Sequence, residues 1–167
     1  TVEHVIGSNS AHTITGGGAN DPLGAGAGAD TLRGGAGDDS LDGGLGDDRL
    51  DGGAGNDTVD GGDGDDLLVG SAGADRLIGG AGIDIADYSA SAAGVTAYLD
   101  GRAGQGGDAE GDTITGVEKL IGSAHDDTLV GDAGDNVLVG GGGADHVDGG
   151  AGTDTVDFSD SKVGVTV

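Results

Sequence analysis

Aspartate carries most of the chemistry in this sequence, and its spacing is regular. In GGAGDDSLDGGLGDDRLDGGAGNDTVDGGDGDD, residues 34–66, Asp39, Asp48, Asp57 and Asp66 recur every nine residues, each behind a run of glycines. Of 31 acidic residues only Glu3, Glu110 and Glu118 are glutamate, and 6 basic residues leave a net charge of -25. Glu serves solubility as well as Asp does, so the bias points to a short carboxylate held close to the backbone, in turns or at a metal. With no Cys and no Met, thiolate sites, disulfides and thiol redox chemistry are excluded, which leaves oxygen ligands. The same charge makes nucleic acid and anionic membranes poor partners and cations good ones. Catalysis has no foothold: no Ser sits in a nucleophile elbow, and His4, His12, His125 and His146 share no zinc-like spacing.

The elements that must position these carboxylates follow from the repeat. Nine nonapeptides run without a gap from Gly7 to Asp87 and four more from Gly122 to Asp157. The sixth place holds Asp21, Asp30, Asp39, Asp48, Asp57, Asp66, Asp75, Asp84, Asp127, Asp145 and Asp154, the exceptions being His12 and Asn136. The eighth place is always apolar, Ala86 being the smallest. A longer period joins the two arrays. DYSASAAGVTA (87–97) returns as DFSDSKVGVTV (157–167), and VEHVIGS (2–8) as VEKLIGS (117–123). The organisation expected is therefore the tail of a connector at 1–6, an array at 7–87, a connector at 88–121, an array at 122–157 and the start of another connector at 158–167. On this reading the chain is a piece of a longer tandem series.

Within a nonapeptide, GGxGxD is built to turn, since Gly accepts positive φ and close approach. The last three residues, such as Ser40-Leu41-Asp42, make a short strand. Alternation points Leu41, Leu50, Val59, Leu68 and Leu77 inward and Asp42, Arg49, Asp51 and Thr58 outward. Two nonapeptides make one flattened turn. Turns stacked at ~4.8 Å give two parallel sheets around a thin core. Gly recurs too often for a helix and in no every-third register for collagen. The competing reading is a disordered acidic linker, which the composition favours unless a counterion cancels the charge.

Ca²⁺ is the counterion that fits, because it takes six to eight oxygens in flexible geometry, whereas Mg²⁺ demands a tight octahedron and holds its water. One loop cannot surround it, but loops two repeats apart lie over each other. The expected pairs are Asp30 with Asp48, Asp48 with Asp66 and Asp66 with Asp84 on one edge. On the other they are Asp21 with Asp39, Asp39 with Asp57 and Asp57 with Asp75. In the second array Asp127 pairs with Asp145 and Asn136 with Asp154. Backbone carbonyls are expected from Gly35, Gly37, Gly44, Gly46, Gly53, Gly55, Gly62, Gly64 and Gly73.

These nonapeptides resemble the RTX, or haemolysin-type calcium-binding, repeat GGxGxDxUx, and the resemblance covers all thirteen. It implies an all-β, right-handed parallel β-roll with several Ca²⁺ ions between turns. It also implies an extracellular bacterial protein exported by a type I system, unfolded in the calcium-poor cytosol and folded outside. Departures are His12 for Asp, Ser10, Ala19 and His125 for the fourth-place Gly, and Asp132 for a second-place Gly. They set the first loops of both arrays apart as ligands.

The remaining features read more plainly. Fifth-place Asp38, Asp47 and Asp65 are solvated charge, as are Asp42, Asp51 and Asp60. Matches to GxGxxG follow from 42 glycines and carry no weight for nucleotides. The outward apolar positions Leu67, Val69, Ile78, Val130, Val137 and Val139 are expected to pack the connector or meet a neighbouring module. The connector itself is expected to continue the stack as wider β turns, with GGDAEGD (106–112) offering Asp108, Glu110 or Asp112 to another ion. The function expected is a non-enzymatic, calcium-folded spacer and secretion-folding segment, as in an adhesin or surface protein. The alternative is an accessory module of a secreted protease, lipase or polysaccharide-modifying enzyme, or of a toxin.

Overall fold

The structure, a computed structural model, describes residues 5–159. The expectations for 1–4 and 160–167 lie outside the described residues.

In the first array the strands are β1 (Val5–Ile6), β2 (Thr13–Thr15), β3 (Pro22–Ala27), β4 (Thr31–Ala36), β5 (Ser40–Leu45), β6 (Arg49–Ala54), β7 (Thr58–Asp63), β8 (Leu67–Ala72), β9 (Arg76–Ala81) and β10 (Ile85–Asp87). The connector adds β11 (Thr96–Tyr98), β12 (Thr113–Thr115) and β13 (Lys119–Ile121). The second array adds β14 (Thr128–Val130), β15 (Val137–Val139), β16 (His146–Asp148) and β17 (Thr155–Asp157).

Within each array the strands pair in parallel with the strand two repeats away, so Leu41 lies beside Val59 and Leu50 beside Leu68, and the connector strands pair in parallel at longer offsets with β9, β10 and β14. One sheet runs β1-β3-β5-β7-β9-β12, the second runs β2-β4-β6-β8-β10-β13-β15-β17, and a third runs β11-β14-β16. This is the stacked parallel β-solenoid expected from the nonapeptide. The eighth-place side chains fill its interior: Leu32, Leu41, Leu50, Val59, Leu68, Leu77, Leu129 and Leu138 are each no more than 1% exposed. Each such side chain contributes ~1.5–3 kcal/mol of burial, and the core is one residue deep from either sheet.

Two features differ from expectation. Strands β3 to β9 are six residues long, not three, because pairing skips the first-place residue and resumes at the second and third, as in Gly44 beside Gly62. In the second array the strands are three residues long. The connector also departs from chain order. From β10 the chain goes first to β11, which opens the third sheet, and only then returns to lay β12 on the first sheet and β13 on the second. The reversal uses positive φ at Gly101, Gly106 and Gly107 and a two-way antiparallel bridge between Thr96 and Gln105. Tyr88, Val95, Leu99, Ala109 and Val117 are buried with the core. The second sheet passes through the connector unbroken. Its outer face carries Leu67, Val69, Val137 and Val139, and Ile121 of the connector stands in the same row as one more rung. Among the described residues no helix is long and apolar enough to cross a membrane.

Candidate metal centre

The sixth place ends each turn just before a strand, so stacking the strands stacks these residues as well. His12, Asp30, Asp48, Asp66 and Asp84 form a column on one edge, and Asp21, Asp39, Asp57 and Asp75 a column on the other. The expected pairs are brought together by one repeated bond. The backbone N–H of Asp30 donates to Asp48 Oδ1 at 2.7 Å, that of Asp48 to Asp66 Oδ1 at 2.8 Å and that of Asp66 to Asp84 Oδ1 at 2.9 Å. On the second edge Asp21, Asp39 and Asp57 donate to Asp39, Asp57 and Asp75 at 2.7, 2.7 and 2.8 Å. Each carboxylate thus uses one oxygen to tie its turn to the turn before.

The other oxygen gives the site its character. Oδ2 of Asp30, Asp39, Asp48, Asp57, Asp66, Asp75 and Asp84 is buried and has no hydrogen-bond partner. These residues are at most 3% exposed. Among the described residues no Lys or Arg forms an ion pair with them. A buried acceptor left bare costs ~1–3 kcal/mol, and more when it is charged. Burial, reinforced by neighbouring carboxylates and opposed by the amide hydrogen bond, pushes Asp48 and Asp84 up to about 6 and Asp75 to about 7. Asp39, Asp57 and Asp66 are moved upward for the same reason.

Six of the seven bare oxygens, from Asp39 to Asp84, face a cradle beside the first-place glycine of their own repeat; in the repeat of Asp30 that place is Ala25. A Cβ added to Gly52 would lie 2.5 Å from Asp57 Oδ2. One added to Gly61 would collide with Asp66 Oδ2 and lie 2.7 Å from the carbonyl oxygen of Gly79 in the next turn. A carboxylate oxygen and a backbone carbonyl from successive turns therefore reach the same spot. Among the described residues no three acidic or histidine side chains gather at one point, so a cation here draws most of its oxygens from the backbone. Bare buried carboxylate oxygens beside carbonyls, with no cationic side chain, fit Ca²⁺. The nine candidate glycines at the second and fourth places all have positive φ. Gly53 shows why Gly is needed, since at φ 102° its Cβ would also strike the Gly35 carbonyl.

At the departures the carboxylates find partners within the protein. His12 donates its backbone N–H to Asp30 Oδ1, and its Nδ1 lies 3.0 Å from the same oxygen. Asp21 Oδ2 accepts from the Gly17 amide at 2.8 Å. Asp127 accepts from the Val95 amide, the Ser123 amide and the Ser123 hydroxyl at 2.7, 2.6 and 2.8 Å. Asn136 Oδ1 accepts from the Asp132 amide at 2.9 Å. The amides of Asp127 and Asn136 donate to Asp145 and Asp154 at 3.1 and 3.0 Å, so those pairs also stack.

Two expectations are corrected and one residue was missed. The fifth-place residues are exposed, but they are not merely solvated: Asp38 Oδ1 accepts from the Asn56 amide and Asp47 Oδ1 from the Asp65 amide, a second ladder outside the first. The connector acids do not converge. Glu110 reaches the Gly106 amide, while buried Asp112 accepts from the Asp75 amide at 2.7 Å and the Tyr88 hydroxyl at 2.8 Å. Glu118 was not among the candidates, yet its Oε2 accepts from the Asp84 amide at 2.9 Å. Asp112 and Glu118 therefore extend the two columns by one rung each. The signal was present in Asp112-Thr-Ile-Thr and Glu118-Lys-Leu-Ile, which repeat the acid-x-apolar-x pattern of the sixth to ninth places.

The family described as RTX calcium-binding nonapeptide repeat (4 copies) matches residues 3–32, 15–50, 24–59, 51–86 and 121–156, more than half of the chain. Residues 87–120 fall outside these matches. No curated protein matches the chain.

Proposed function

Because the chain belongs to the RTX calcium-binding nonapeptide repeat family, we propose that it is a calcium-folded spacer and secretion-folding segment of an extracellular bacterial protein. RTX repeats bind Ca²⁺ and belong to secreted bacterial proteins. The observation that carries the reading here is the run of seven buried, unpartnered Asp Oδ2 atoms. Asp30, Asp48, Asp66 and Asp84 on one edge and Asp39, Asp57 and Asp75 on the other would hold the ions, with glycine carbonyls completing each shell. Bound Ca²⁺ supplies positive charge where the chain has none. The chain's own contribution is to stack carboxylates through the amide ladder, exclude water with the eighth-place core and, except at Ala25, keep the first place free of a Cβ.

Ligands that bind only the folded state stabilise it in proportion to the logarithm of their concentration, and sites sharing loops add up. Extracellular modules of this kind bind Ca²⁺ at ~10⁻⁴–10⁻³ M, so the chain stays open in the cytosol and folds outside. The unbroken second sheet supports the spacer role, since it makes one continuous rod of both arrays. The mechanism needs no reacting group, and the role is structural rather than catalytic. Far-ultraviolet circular dichroism during a Ca²⁺ titration, with Mg²⁺ alongside, tests it. A cooperative gain of β signal with Ca²⁺ alone is expected; full β signal in chelator would overturn it.

A further inference from the structure

The first sheet and both Asp columns meet the connector at a point where the nonapeptide stops. Residues 87–120 carry no family match, yet the turn after β12 rebuilds the surroundings of a sixth-place carboxylate. Asp84 is 0% exposed and its Oδ2 has no partner. Within the array the corresponding oxygen of Asp66 shares its cradle with the Gly79 carbonyl; at the junction Asp84 Oδ2 shares its cradle, beside Gly79, with the carbonyl of Gly116. A Cβ on Gly79 would lie 2.6 Å from Asp84 Oδ2 and would strike that carbonyl.

The acid on the far side is Glu118. An array repeat places four residues between its first-place Gly and its sixth-place Asp, whereas only Val117 separates Gly116 from Glu118. The shortened turn holds the backbone back, and the side chain that reaches across is one methylene longer than Asp. Its Oε2 accepts from the Asp84 amide at 2.9 Å, while the amides of Glu118 and Lys119 both donate to the Asp84 carbonyl at 3.2 and 2.9 Å. The second oxygen of this carboxylate has no hydrogen bond among the described residues, and the Glu118 charge helps push the buried Asp84 upward.

We propose that Asp84 Oδ2, the Gly116 carbonyl and the Glu118 carboxylate form a divalent-cation site that lies across the junction, outside the repeat motif. It rests on the calcium reading of the arrays and gives the ion assigned there to Asp84 its remaining ligands from the connector. Its consequence is mechanical, because the ion fixes the connector to the last turn of the first array. The other edge ends differently. There Asp112 receives the Tyr88 hydroxyl and needs no metal.

The test is an ion count by native mass spectrometry on the 167-residue chain with saturating Ca²⁺, comparing wild type, E118Q and E110Q, with circular dichroism to confirm folding. E118Q is expected to fold and hold one ion fewer, and E110Q to match wild type, since Glu110 is exposed and bonded only to the Gly106 amide. A folded E118Q with the wild-type count overturns the site while leaving the array reading intact. A wild type that binds no ions removes both. If E118Q does not fold, the calcium anomalous map of wild-type crystals decides: density enclosed by Asp84, Gly116 and Glu118 supports the site, and its absence overturns it.

Discussion

The two arrays share a repeat but not a way of treating their carboxylates. In the first, β4 to β9 are six residues long and Oδ2 of Asp30 through Asp84 is buried and bare. In the second the strands are three residues long, and Asp127 and Asn136 are satisfied by amides four residues upstream. The difference lies at the second place of the repeat. Gly35, Gly44, Gly53 and Gly62 adopt positive φ, so their loops continue the strand pairing and no second-place amide turns back to the Asp. Ser123 and Asp132 do not adopt it, and their amides do turn back. Gly17 behaves like them and caps Asp21. The second-place angle therefore separates the residues closed by an upstream amide, Asp21, Asp127 and Asn136, from those without one, and Gly141 and Gly150 of the second array share the positive φ of the first.

The largest effect should come from removing equivalent acids in the two arrays. D66N deprives the first array of a buried ligand and is expected to cost about 3 kcal/mol at saturating Ca²⁺ and to raise the folding midpoint at least about tenfold. D127N weakens hydrogen bonds at ~1 kcal/mol and leaves the Ca²⁺ midpoint nearly unchanged. Calcium titrations followed by circular dichroism check both, and equal midpoint shifts would break the distinction. Next in size is G52A, whose methyl enters the cradle 2.5 Å from Asp57 Oδ2. It should cost about 2 kcal/mol and weaken Ca²⁺ binding, read by calorimetric titration.

Much of this was legible beforehand, because a nine-residue period fixes which side chains stack. The edge pairs from Asp21 to Asp84 and the inward row from Ile14 to Leu138 follow from it directly. Strand length was not legible, since it depends on whether facing second-place residues such as Gly44 and Gly62 both adopt positive φ rather than on side-chain alternation. Glu118 was hidden by a turn three residues short, which shifts it out of the nonapeptide count while keeping its place in the stack. The order of β11 and β12 was hidden as well, because a reversal at Gly106 and Gly107 leaves no mark on periodicity.

In chelator the comparison acquires a pH dependence. Asp48, Asp75, Asp84 and Asp112 stand at about 6, 7, 6 and 6 in the roll, chiefly through burial, against 3.8 for an ordinary aspartate. The folded state then binds more protons than the unfolded chain, so metal-free stability is lost as pH rises from about 4 to about 7 and regained as it falls. Circular dichroism in chelator should show partial recovery of β signal at about pH 4.5 over about pH 7.5, and no recovery would contradict the burial of these acids. The smallest effect is expected at Ser71, the one non-glycine with positive φ among the described residues, at 72°. S71G should stabilise the calcium-bound chain by ~1 kcal/mol, read from its thermal midpoint.

Amide hydrogen exchange along the whole chain, in chelator and then in saturating Ca²⁺, tests the central claim most directly. The amides of Asp30, Asp39, Asp48, Asp57 and Asp66, all bonded to carboxylates of the next turn, should exchange freely without calcium and become protected with it. Protection of the same amides in chelator at neutral pH would mean that the first array holds its bare carboxylates without an ion, and the account would be wrong.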